Sequence, residues 1–182
     1  MEDQQLVRRV LDGNRNAFLE LIDRYKLLVA HMIGRVVDND LDKEELCQDV
    51  FIKIYESLGS FRFNSKLSTW IATISYRMAI NFAKKNVKKN QEQELDKIAF
   101  KISVDDHSFE KEDFKQFIHD VVSQMPESYR VVLTLFYLDE FSYPEIVEIT
   151  GMPEGTVKNY LFRARQKMKD LITPYVGKEI EI

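Results

Sequence analysis

Apolar residues recur at intervals of three and four from Leu6 to Leu171, the period of helices laid against a core, and alternating strand-like runs are nearly absent. The spacing predicts helices over residues 4–11, 16–37, 43–58 and 66–85, then over 114–124, 127–138, 143–150 and 153–172. Asp42, with Glu45 three positions on, suits a cap at the start of the third helix, and Gly59 is expected to end it. Between residues 91 and 115 the period fades and acids cluster, the mark of a linker. The expected fold is all-α, two small helical domains over residues 1–90 and 116–176 joined by a flexible acidic linker.

The C-terminal pattern predicts a helix-turn-helix. A short helix carrying Ile146, Val147 and Ile149 stops at Gly151, which adopts the left-handed conformation at little cost, and Pro153 suits the start of the next helix. On that next helix Val157, Leu161, Ala164, Met168 and Leu171 share one face, which should be buried. The opposite face presents Gly155, Lys158, Asn159, Phe162, Arg163 and Gln166, flanked by Arg165 and Lys167. Lys and Arg reach phosphates or guanine edges, Asn pairs with adenine, and Phe touches a thymine methyl. A solvated basic face is the plain alternative; the preceding short helix and glycine turn weigh towards a duplex reader.

Net charge is −4 over 182 residues, which by itself argues against nucleic-acid binding, so the distribution decides. Residues 154–169 hold five basic groups against one acid, while residues 91–115 hold four against eight, so the field is positive where the helix would meet DNA. The single cysteine, Cys47, reads as packing filler and fits a reducing cytoplasm. No signal peptide or membrane span is visible, and a soluble protein is expected. An enzyme is the least favoured class. There is no glycine-rich phosphate loop or metal-ligand spacing, His31, His107 and His119 are scattered, and no cofactor is called for.

In the N-terminal half, the helix over 43–58 should bury Leu46, Cys47, Val50, Ile54 and Leu58, leaving Glu45, Gln48, Asp49, Ile52 and Glu56 outside. That face suits a protein partner or simply solvent. The loop Phe61, Arg62, Phe63, Asn64, Ser65 then leads into a helix with Lys66, Trp70, Thr73, Arg77 and Lys84 along one stripe. Cations interleaved with aromatics suit a single strand, whose backbone they track and whose bases they stack. Leu67, Ile71, Ile74, Met78 and Phe82 form the face expected to be buried, Trp70 at its edge is open to a packing role, and Asn81 is expected to be a buried hydrogen-bonding residue.

These blocks, in this order, resemble sigma factors of the sigma-70 class in the small extracytoplasmic-function group. LDKEELCQDVFIKIYESL (41–58) is similar to the core-polymerase-binding helix, FRFNSKLSTWIATISYRMAINFAKK (61–85) to the segment that recognises and melts the minus-ten element, and residues 122–168 to the domain that docks on the minus-thirty-five element. The resemblance implies a non-enzymatic protein that binds core RNA polymerase and promoter DNA, duplex and single-stranded non-template strand, and is held by an anti-sigma factor. It implies polymerase contacts from Glu45, Gln48, Asp49, Ile52 and Glu56. It implies minus-ten contacts from Phe61, Arg62, Phe63, Asn64, Ser65, Lys66, Trp70, Thr73, Arg77 and Lys84. For the minus-thirty-five element it implies Glu154, Thr156, Lys158, Asn159, Phe162, Arg163, Arg165 and Lys167. The chain departs from the family pattern at Tyr76, Arg77, Val147, Thr150, Asn159 and Tyr160. A regulator using only the turn motif, and a helical protein that sequesters a partner, are the competing readings.

Overall fold

The structure, a computed structural model, describes residues 2–37, 39–90, 121–122 and 124–176. The linker expected over 91–115 and most of the helix expected over 114–124 lie outside the described residues. All regular elements among those described are helical: α1 (Glu2–Leu11), α2 (Arg15–Gly34), α3 (Asp40–Ser57), a 3-10 turn (Leu58–Ser60), α4 (Leu67–Asn90), α5 (Glu127–Tyr137), α6 (Tyr143–Thr150) and α7 (Glu154–Val176).

The first unit packs α1 to α4 around Leu6, Leu21, Val29, Ile33, Val50, Ile54, Leu58, Leu67 and Ile71, all nearly sealed from solvent. Its helix starts follow local chemistry. Asn14 accepts the Ala17 N–H at 3.1 Å to cap α2. At α3 the cap is Asn39, accepting the Asp42 N–H at 3.1 Å, so the helix begins before the expected Asp42 cap. Asp42 instead lies in the first turn, where an acid complements the helix dipole. The α-helix ends at Ser57, capped by Leu58 just before the expected Gly59. A 3-10 turn that includes the buried Leu58 follows, and the backbone becomes extended at Phe61.

The second unit packs α5, α6 and α7 around Val131, Leu135, Ile146, Ile149, Val157, Leu161 and Ala164. The turn of the helix-turn-helix forms as its residues dictate. Gly151 sits at φ 72°, with its N–H bonded to the Val147 carbonyl at 2.9 Å, and Thr150 accepts the Met152 N–H at 3.2 Å. Pro153 lies just outside α7, its carbonyl accepting from Thr156 and Val157. The expected buried face holds: Val157, Leu161 and Ala164 are sealed, Met168 and Leu171 half-buried.

Both units meet along α4. Beside the face that packs into the first unit, Thr69, Ala72, Thr73 and Tyr76 form a second buried stripe, spaced by three, one and three, against which α6 lies. Met32, Ala72 and Tyr76 from the first unit share one apolar cluster with Ile146 and Ile149 of the second. Two of the buried hydroxyls are satisfied within the helix, Thr73 donating to the Thr69 carbonyl and Ser75 to the Ile71 carbonyl, each at 2.8 Å. Asn81 is exposed rather than buried, because α4 has by then run past the last sealed core residue, Ala79.

Gly151 and Gly155 both have open space where a Cβ would stand, yet only Gly151 has a positive φ. Gly151→Ala should therefore cost about 1 kcal/mol, whereas Gly155→Ala in the first turn of α7 should be neutral or slightly stabilising. Urea denaturation of the two variants checks the contrast.

Candidate nucleic-acid interface

Two surfaces carry the predicted nucleic-acid residues, and α4 and α7 position them. On α7, Lys158, Asn159, Phe162, Arg163 and Lys167 face outward, Phe162 at 60% exposure. Several of its cations are held by neighbours. Lys158 Nζ lies 2.6 Å from Glu154 one turn before it and 5.6 Å from the centre of the Tyr143 ring. Arg165 Nε donates to the Tyr137 hydroxyl at 2.7 Å and stacks over Phe136 and Tyr137, so this guanidinium is drawn to the flank of the helix. The Tyr129 hydroxyl near Arg163 raises the pKa of that guanidinium. Thr156 is half-buried at the helix start and Glu154 is exposed. An arginine and a lysine fixed by rings are partly pre-ordered before any ligand arrives.

In the N-terminal loop, Phe61 is buried at 7% exposure, its ring 4.7 Å from Phe63 and 5.2 Å from the half-buried Trp70. The packing role left open for Trp70 is thus the contact it makes. Phe63 is the ring that projects: it is 40% exposed and adopts φ 59°, an uncommon value for a side chain of its size. Arg62 and Asn64 are exposed, and Arg62 donates to the Gly59 carbonyl at 3.0 Å. Further along α4, Thr73 is buried, while Arg77 and Lys84 are exposed.

Between the two surfaces lies a cleft lined by Asn64, Ser65, Lys66, Glu140, Ser142, Pro144, Glu145 and Glu148. Glu145 organises it. One carboxylate oxygen accepts the backbone N–H and hydroxyl of Ser142 at 2.9 and 2.7 Å, a capping box that starts α6. The other accepts from Lys66 Nζ at 3.0 Å and from the Thr69 hydroxyl at 3.1 Å, both at the start of α4. Burial on its own would raise the Glu145 pKa; the hydrogen bonds from Ser142, Lys66 and Thr69 outweigh it and hold the carboxyl at about 2. Alongside, Ser65 donates to Glu148 at 2.9 Å. On the other flank of the seam, Arg35 and Asp139 form an ion pair at 7% and 6% side-chain exposure, with His31 Nδ1 3.7 Å from the same carboxylate. Burial lowers the Arg35 pKa, against the opposing pull of Asp139.

None of these seam partners follows from the helical period. Glu145 was visible in sequence only as the acid three residues after Ser142, and Asp139 only as a turn acid after an apolar helix. On α3, Glu45, Gln48, Asp49, Ile52 and Glu56 all lie on the outer face, with Tyr55 as a further exposed ring that the pattern did not single out. Among the described residues no group of His, Cys, Asp and Glu could hold a metal, and no helix is long and apolar enough to cross a membrane.

Comparison with known proteins gives consistent results for both units. The family model for Sigma-70 region 2 matches residues 21–89, and that for Sigma-70, region 4 matches residues 116–168. The chain is 33% identical to the ECF RNA polymerase sigma-E factor of Escherichia coli K12 over 97% of both chains. It is 30% identical to the RNA polymerase sigma-H factor of Pseudomonas aeruginosa over 95% of both. In fold it is similar to the sigma factor RpoE in its complex with the anti-sigma factor NepR from Bartonella quintana, with a TM-score of 0.67 and 21% identity over 86% of this chain and 96% of that one.

Because the Glu145 carboxyl titrates at about 2 when folded, against its ordinary 4.5, its stabilising contribution is complete above pH 4.5 and is lost as pH falls towards 2. In urea denaturation series run down through that window, the wild-type chain should lose more stability than Glu145→Gln, whose side chain carries no titrating group.

Proposed function

This chain belongs to the extracytoplasmic-function group of the sigma-70 family, and from that premise we propose that it binds core RNA polymerase, directs it to particular promoters and helps to open the DNA there. The observation that carries the proposal is the identity with a sigma-E factor over 97% of both chains, with each helical unit matched by a different sigma region.

The work divides between the two units. The outer face of α3, with Glu45, Gln48, Asp49, Ile52 and Glu56, meets the polymerase. The exposed cations and Phe162 of α7 meet the duplex of the minus-thirty-five element through phosphate and base-edge contacts. Phe63, Arg62, Asn64, Ser65 and Lys66, with Arg77 and Lys84 further along α4, meet the opened non-template strand. Stacking a base contributes on the order of 1–3 kcal/mol, comparable to the few kcal/mol needed to unstack one from the duplex. Phe63 is the ring exposed for that purpose, while Phe61 and Trp70 support it from behind. The role requires no bond-making by this chain and no cofactor, and it belongs in the cytoplasm with the polymerase. The RpoE–NepR complex supports control by an anti-sigma factor.

Transcription in vitro with core polymerase, this chain and genomic DNA tests the proposal. Transcript ends should cluster at defined sites that depend on the chain; ends scattered as with core polymerase alone would overturn it. Lys158→Ala with Arg163→Ala should reduce initiation at those sites by about tenfold or more, given roughly 1–3 kcal/mol per lost base-edge contact.

A further inference from the structure

The first turn of α4 and the loop before it present Ser65 Oγ, Lys66 Nζ and Thr69 Oγ1, and all three donate to carboxylate oxygens of α6, at 2.9, 3.0 and 3.1 Å. Two hydroxyls and an ammonium converging on anionic oxygens is the donor set that holds a phosphodiester. Glu145 is not a swinging surface acid: the Ser142 cap pins it, and its side chain is only 15% exposed, while Lys66 remains 71% exposed. Glu140 lines the same cleft, so three carboxylates share it with the lysine. A strand entering this cleft meets negative potential where its phosphates would need the opposite.

We infer that Glu145 and Glu148 act as stand-ins for promoter phosphates, so that in the free chain the C-terminal unit and the opened DNA strand compete for Ser65, Lys66 and Thr69. The outward face of α7 is left open by this contact, since Lys158, Asn159, Phe162 and Arg163 stay exposed. The latch therefore withholds strand binding selectively, and loading onto polymerase must part α6 from α4 before melting can proceed. The inference rests on the reading of the residue 61–66 loop and α4 as the strand-binding surface.

The test uses the full chain and a fluorescein-labelled, mixed-sequence 20-nucleotide single strand, read by anisotropy at low salt. Glu145→Gln with Glu148→Gln keeps the capping box, because glutamine also serves at that position. It should tighten strand binding by about five- to tenfold, and adding Lys66→Ala should remove the gain. Asp23→Asn with Glu44→Gln makes the same change of charge away from the seam and should give no more than about a twofold effect. A second variant, Ala72→Arg, places bulk and charge in the sealed stripe beneath α6. It should enlarge the radius of gyration in X-ray scattering at unchanged helical content and tighten strand binding likewise. Equal gains from the seam pair and the control pair, or an opened Ala72→Arg chain with no gain, would overturn the latch. Transcription by the wild-type chain separates the two possible failures. With defined transcript ends, absent gains reject the latch and leave the sigma reading standing; without them, that reading falls and the latch falls with it.

Discussion

The arrangement depends on α4 being packed from two sides. Leu67 and Ile71 seal it into the first unit, and Thr69, Ala72, Thr73 and Tyr76 seal it under α6. Magnitudes assign different tasks to the apolar and polar parts of that second contact. Large side chains such as Met32 and Tyr76 contribute about 1.5–3 kcal/mol each when buried, whereas an ion pair as open as Lys66–Glu145 contributes about 0–1 kcal/mol. Apolar burial holds the units together, and the glutamates decide which donors are occupied while they are held. The sealed Arg35–Asp139 pair adds alignment more than adhesion, since desolvating both charges offsets much of their attraction.

Much of this was legible in the sequence, and the exceptions share a cause. A helical period reports one apolar face well, which is why the buried sides of α3 and α7 and the outward residues of both were placed from spacing alone. It treats Thr, Ser and Ala as neutral. Thr73 was therefore read as part of an open stripe, and Thr69 and Ala72 were assigned to no face, although small side chains such as Thr73, whose hydroxyl bonds back to the helix, are well suited to a close neighbour. Capping acids mislead in a related way. Asp42 and Glu45 fitted a cap by spacing, yet Asn39 provides it; Ser142 and Glu145 fit the same rule and do form one, with the second oxygen of Glu145 left to reach α4. Spacing finds a motif within one element and says little about what the motif meets in another.

Net acidity, which at first argued against a nucleic-acid role, is resolved by where the acids sit. Glu140, Glu145 and Glu148 line the seam, and Glu45, Asp49 and Glu56 stand on the outer face of α3, while the cations of α7 are steadied by Tyr129, Tyr137 and Tyr143. A chain whose outward cations gather on α7 and along α4 has no need of a uniformly basic surface. Local fields and pre-ordered side chains suffice, and acids elsewhere limit unproductive binding.

With the latch in place the free chain is closed along α4, and its working form is open there. The most direct measurement is the distance between spin labels placed at Glu44 on α3 and Lys169 on α7, in a Cys47→Ser background, by pulsed electron resonance. A single short-distance population in the free chain, replaced by a longer one on adding core polymerase, is the predicted result. A broad distribution in the free chain, or one that polymerase leaves unchanged, would contradict it.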